Sequence, residues 1–97
     1  MGDIYDEPTQ TELRQMLSVW ALAYEMYSTS LTPDVIFDRY ASRLDTNAVT
    51  EDEELDKFFN TCYSNSSGMW VLGHPRISEL HEIVQKRVAQ YKKVNRL

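Results

Sequence analysis

The sequence predicts an all-α fold, a compact four-helix bundle with short loops and an apolar plug ahead of the last helix. Three observations carry this. Apolar residues recur at steps of three and four in four separate segments, the period of a helix face. Residues suited to helix N-termini precede the first three of these segments. No alternating apolar and polar run with hairpin-turn chemistry occurs. With 97 residues, 42% hydrophobic and 26% charged, the chain has the size and balance of one globular domain. That domain is expected over residues 9–97, behind an acidic, flexible lead-in of residues 1–8.

Thr9-Gln10-Thr11-Glu12 has capping-box spacing, with Thr9 placed to cap and Glu12 to reach back. Leu13, Met16, Leu17, Trp20, Tyr24 and Tyr27 follow as a helical stripe. Val19, Ala21, Leu22, Ala23 and Met26 make the segment apolar nearly all round, which predicts the buried centre of the bundle. Ser28-Thr29-Ser30 should end it, since their hydroxyls compete for backbone bonds. The second helix should start at Thr32 as cap, with Pro33 at the first helical position and Asp34 complementing the dipole. Leu31 and Ile36 are spaced as a hydrophobic staple. Ile36, Phe37, Tyr40, Ala41 and Leu44 are its expected inner face, before a turn at Asp45-Thr46-Asn47.

Thr50-Glu51-Asp52-Glu53 reads as a second capping box, and Glu51–Glu54 as an acidic first turn. Leu55, Phe58, Phe59, Cys62 and Tyr63 then define a short amphipathic helix, stopped by a loop at Ser64–Gly68. Met69-Trp70-Val71-Leu72 is too short to classify by period and reads as the apolar plug. After Gly73-His74-Pro75, Ile77, Leu80, Val84, Val88 and Tyr91 mark the final helix, with Ile83 and Val94 flanking. The bundle is expected to pack antiparallel neighbours around Trp20, Phe37, Phe58 and Leu80.

Charge is unevenly placed. Residues 1–70 hold 13 acidic and 4 basic side chains, net −9; residues 71–97 hold 2 and 6, net +4. The basic six are Arg76, Lys86, Arg87, Lys92, Lys93 and Arg96. One reading is a solvated helix whose basic end suits its own dipole; the other is a patch for phosphate or an acidic partner.

Catalytic and cofactor chemistry is not signalled. Three glycines form neither a Walker loop nor a dinucleotide fingerprint. His74 and His81, with Glu79 and Glu82 near, lack the spacing of a metal motif, so no metal, cofactor or enzymatic activity is expected. His81 should border the core beside Ile77 and Val84, and His74 should end the loop. Cys62 lies on an apolar stripe and reads as a small buried hydrophobe rather than a nucleophile. Glu51–Glu54 lacks the alternating ligands and glycine of a calcium loop. The longest apolar run is the six residues Val19–Tyr24, far short of a membrane span. The acidic start has no apolar signal region, and a single cysteine suits a reducing compartment, so a cytoplasmic protein is expected. Asn65-Ser66-Ser67 matches a glycosylation sequon, idle in that setting.

The order of pieces resembles the small helicase-loader, or replisome-organiser, proteins of tailed bacteriophages that infect Gram-positive bacteria. The residues are Leu13, Leu17 and Tyr24 in the first helix, the run Thr32–Leu44, the acidic-start segment Glu51–Tyr63, and Pro75-Arg76-Ile77-Ser78-Glu79-Leu80. The likeness spans about residues 9–85. The chain departs from the family at Trp70–Pro75, where the family has an aromatic-Pro-Pro, in a longer Ser64–Gly68 loop, and in a short basic extension in place of a long tail that engages the helicase. The resemblance implies binding to a replicative helicase or its partner and no catalysis.

A non-catalytic, protein-binding adaptor is therefore expected, contacting its partner through Lys86, Arg87, Lys92 and Lys93 and through Met69 or Trp70 if exposed. The competing reading of Met69 and Trp70 is that both plug the core. The alternatives are a small acidic inhibitor that mimics nucleic acid, motivated by the net −9 body, and a self-associating structural protein. Direct DNA binding ranks below these, because the acidic body repels phosphates.

Overall fold

The computed structural model describes residues 8–65 and 67–94. Most of the acidic lead-in, the centre of the sequon and Arg96 therefore lie outside the described residues. The chain is all-α, with helices α1 (Gln10–Tyr27), α2 (Asp34–Ala41), α3 (Glu53–Thr61) and α4 (Ile77–Val94), and a 3-10 turn over Met69–Gly73. Among the described residues there is no strand, and no helix is long and apolar enough to cross a membrane.

α1 forms where its capping box predicts. The Glu12 N–H donates to Thr9 Oγ1 at 3.1 Å and the Thr9 N–H to Glu12 Oε1 at 2.8 Å. It ends as Ser28 turns left-handed at φ 49°, a common way to close a helix, and the Thr29 N–H donates to the Ala23 carbonyl at 3.0 Å. The Thr29 hydroxyl also donates to the Tyr27 carbonyl at 2.8 Å. α1 packs against α2, α4 and the 3-10 turn. Its Leu17, Leu22 and Ala23 are fully buried, as a helix apolar on most sides requires.

The second and third helices start differently from their sequence signals. Pro33, not Thr32, is the cap of α2, and no side chain caps it. Pro33 has φ −62° and ψ 149°, an extended conformation, so helical geometry begins only at Asp34. α3 is capped by Asp52, which accepts the Leu55 N–H at 3.1 Å, and not by Thr50. Thr50 is diverted to a buried ion pair described below. Helix α3 stops at Thr61, so Cys62 falls at its C-cap and is exposed. This overturns its expected burial, because the stripe continues in sequence past the point where the helix carrying it ends.

The core centres on Leu17, Leu22, Phe59, Val71 and Val84, each fully buried. Phe58 and Leu80 belong to it as expected, but Trp20 and Phe37 stand at the side, half-buried, with ring centroids 6.1 Å apart. Only half of the apolar plug is as expected: Trp70 and Val71 are buried in the 3-10 turn, while Met69 and Leu72 are exposed.

Candidate functional site

The expected contact residues divide. Lys86, Arg87, Lys92 and Lys93 are all exposed on α4, and among the described residues none has an ion-pair partner. α4 is anchored by Leu80, Val84 and Val88; from Ala89 to Val94 every residue is exposed. Met69 is 55% exposed, and so available for contact. Trp70 is 8% exposed. Its ring lies 4.9 Å from Tyr63 and 5.4 Å from Phe59 by centroid. It is therefore core and not a contact residue, since the 3-10 turn rotates it inward and leaves Met69 and Leu72 outside.

Two arginines fix the body that carries these groups. Arg14 is 2% exposed, on the apolar helix α1. It donates to Asp56 Oδ1 at 2.7 Å, to the Ala48 carbonyl at 3.1 Å and to Thr50 Oγ1 at 3.3 Å. Its guanidinium lies 5.3 Å from the Phe59 ring centroid. The Thr50 hydroxyl donates to Asp56 Oδ1 at 2.7 Å and its N–H to Oδ2 at 2.8 Å. These Thr50 bonds, and then Arg14, hold the Asp56 carboxyl below its ordinary range. Arg76 makes a two-pronged contact with Asp52, at 2.6 and 2.8 Å, and reaches Glu54 at 3.2 Å. It ties the approach to α4 onto the N-terminus of α3, and its bond lowers the Asp52 pKa.

The acidic cluster of residues 51–54 is thus partly neutralised by Arg76, and the nearby Asp56 by Arg14. That weakens the reading of the cluster as a phosphate mimic.

The histidines serve the fold. His81 Nδ1 meets the Tyr27 hydroxyl at 2.8 Å. His74 is 8% exposed, edge-on to Phe58 with centroids 5.3 Å apart, and its Nδ1 accepts the Arg76 N–H at 3.0 Å. Burial first, and then the Arg76 charge, push its pKa below the usual 6.5. The unfolded chain therefore takes up a proton near pH 6.5 while the folded His74 resists it, so stability falls as pH drops from 7 towards 5. Asp52 and Asp56, with lowered pKa values, contribute stability that is present above about 3.8 and is lost only as pH falls through their lower folded values. The urea midpoint of wild type is expected to fall between pH 7 and pH 5, and that of His74→Asn to fall less, since the amide oxygen accepts the same N–H without titrating. Equal falls in both would refute the assignment to His74.

A third feature was not foreseen. Between α1, α2 and the loop after α3 lies a groove of about 570 Å³, the size of a ligand or side-chain pocket. Trp20, Leu31, Phe37 and Tyr63 form its apolar walls, and Glu25, Asp34 and Asp38 stand on its rim. No Lys, Arg or His lines it among the described residues. Burial raises the Tyr63 pKa. One signal was available in the sequence. Asp34 and Asp38, four apart, share one face of α2, a like-charge pair that costs helix stability.

Comparison with protein-family models, with curated proteins and with solved structures yields no match.

Proposed function

We propose that the chain is a non-catalytic helical adaptor that docks on an acidic surface of another protein through the basic end of α4, with Met69 as an apolar contact. One observation carries this reading. Four cations, Lys86, Arg87, Lys92 and Lys93, stand exposed and unpaired among the described residues around the end of a helix that Leu80, Val84 and Val88 lock in the core. The rest of the molecule is acidic, so these charges are the ones placed to meet a negative partner and to steer it in. The same acidic body disfavours nucleic acid as that partner. A replicative helicase, or the protein that loads it, is the partner implied by the resemblance of the helix order to phage helicase loaders.

The test is capture of a replicative helicase from a Gram-positive bacterial lysate on immobilised chain, identified by mass spectrometry. Wild type should retain the helicase and release it as salt rises. A variant with Lys86, Arg87, Lys92 and Lys93 all changed to Glu should lose at least about tenfold of the capture, because reversing four exposed charges turns attraction to an acidic partner into repulsion. Equal retention by both proteins would refute the basic surface; retention of no helicase by wild type would refute the partner.

A further inference from the structure

We infer that the acidic, aromatic-walled groove between α1 and α2 receives the basic end of α4 from a second copy of this chain. The groove asks for an occupant that is apolar and positive. Its walls are Trp20, Phe37, Leu31 and Tyr63; its rim is Glu25, Asp34 and Asp38, with no cation lining it among the described residues. Aromatic faces and carboxylates together favour a lysine or arginine accompanied by an apolar group. None of the three rim carboxylates has an ion-pair or hydrogen-bond partner for its side chain among the described residues.

The complement is on the same chain. At 3.6 residues per turn, Lys86, Arg87, Lys93 and Val94 fall within one arc of about 120° on α4, which starts beside the buried face at Arg87, seven residues after Leu80, and runs round to Lys93. Val94 is 69% exposed. This arc presents one branched apolar group among three cations, and the groove presents an apolar floor among three carboxylates. No residue of α4 lines the groove of its own chain. α4 is one uninterrupted helix held in the core by three buried residues, so its end does not swing across to that groove. A second copy supplies it without any change in fold. Groove and helix end are different surfaces, so the contact is heterologous, and copies pair where two such contacts close on each other.

This contact uses the cations that the adaptor reading also uses, but it stands on the groove and is tested there. Asp34→Lys with Asp38→Lys reverses the rim; Arg87→Glu with Lys93→Glu reverses the helix end. All four positions are exposed, so both variants should keep the circular dichroism spectrum of wild type. In light scattering at low salt, wild type is expected to grow from monomer mass as concentration rises, and to return to it as salt rises past a few tenths molar. Each variant alone should need at least about tenfold more protein to associate. An equimolar mixture of the two should associate again, because the reversed rim meets the reversed end. In NMR spectra the Trp20 indole N–H should shift with concentration and that of buried Trp70 should not. A wild type that stays monomeric at about 1 mM in low salt, association unchanged in either variant, or no recovery on mixing would each overturn the inference. The rim variant leaves α4 intact and should capture the adaptor's partner at least as well as wild type, so failure of either reading shows separately.

Discussion

Replacing Arg14 with alanine is expected to be strongly destabilising, because it empties a site that is 2% exposed, strips the Ala48 carbonyl of its donor and takes the cation from Asp56. Native domains hold only roughly 5–15 kcal/mol, so the variant should sit near the edge of folding. Arg14, 2% exposed, is the only cation the described structure gives to Asp56. Without it, a carboxylate is left on Thr50 alone, the Ala48 carbonyl loses its donor and the Phe59 ring loses the group stacked over it. Lost packing and lost hydrogen bonds enter beside the charge, since Asp56 keeps 16% exposure and its two Thr50 bonds once Arg14 is gone. Changing the pair together, Arg14→Met with Asp56→Leu, removes both charges and should recover much of the stability, as apolar replacements of buried pairs do. Urea unfolding of the two singles and the double forms the cycle. An Arg14→Ala loss under about 1 kcal/mol, or a double variant as unstable as the two losses summed, would refute the buried pair.

Local chemistry was legible in the sequence where local chemistry decides. The Thr9–Glu12 box and the stop at Ser28–Thr29 depend on residues within one or two turns, and the structure places them as read; the apolar stripe of α1 is buried at Leu13 and Leu17 but leaves Tyr24 63% and Met26 52% exposed towards its end. The misreadings arise where distant residues compete. Asp52 and Thr50 both suit a cap; Arg14, 36 residues before Thr50, takes up Thr50, and Arg76, 24 residues after Asp52, sits on the cap Asp52 forms. Nothing in the residues around Arg14 announces its burial, because its partners come from the other end of a long connection. Trp20 and Phe37 were expected at the bundle centre by size and period. Period tells that residues share a face, not how far from the core axis that face lies. That offset opens the groove. The exposed end of α4 was legible as charge, whereas the groove that matches it required the two helices to be placed.

Phe59→Ala is expected to cost a further about 3–5 kcal/mol, as for buried phenylalanines generally, and to do so by releasing one helix. α1 packs at close backbone range against α2, α4 and the 3-10 turn; α3 has no such neighbour among the described elements. It is held by side chains instead: the Arg14–Asp56 and Arg76–Asp52 ion pairs at its start and a ring cluster further along. Phe59, fully buried, lies 5.2 Å from Phe58, 5.4 Å from Trp70 and 6.0 Å from Tyr63 by centroid, with the Arg14 guanidinium at 5.3 Å. Truncation opens a cavity at the one point where α3, the plug and α1 meet, and backbone contacts are not there to close it. Hydrogen exchange should therefore show α3 amides losing protection more than those of α1 in this variant, since regions with few close packing partners open first. Because Phe59 and Arg14 touch, their losses should not add: with the ring gone, Arg14 gains room for water, and its own removal costs less than in wild type. Additive losses, or α1 and α3 amides exposed to the same degree, would mean that α3 is docked by something other than this ring cluster.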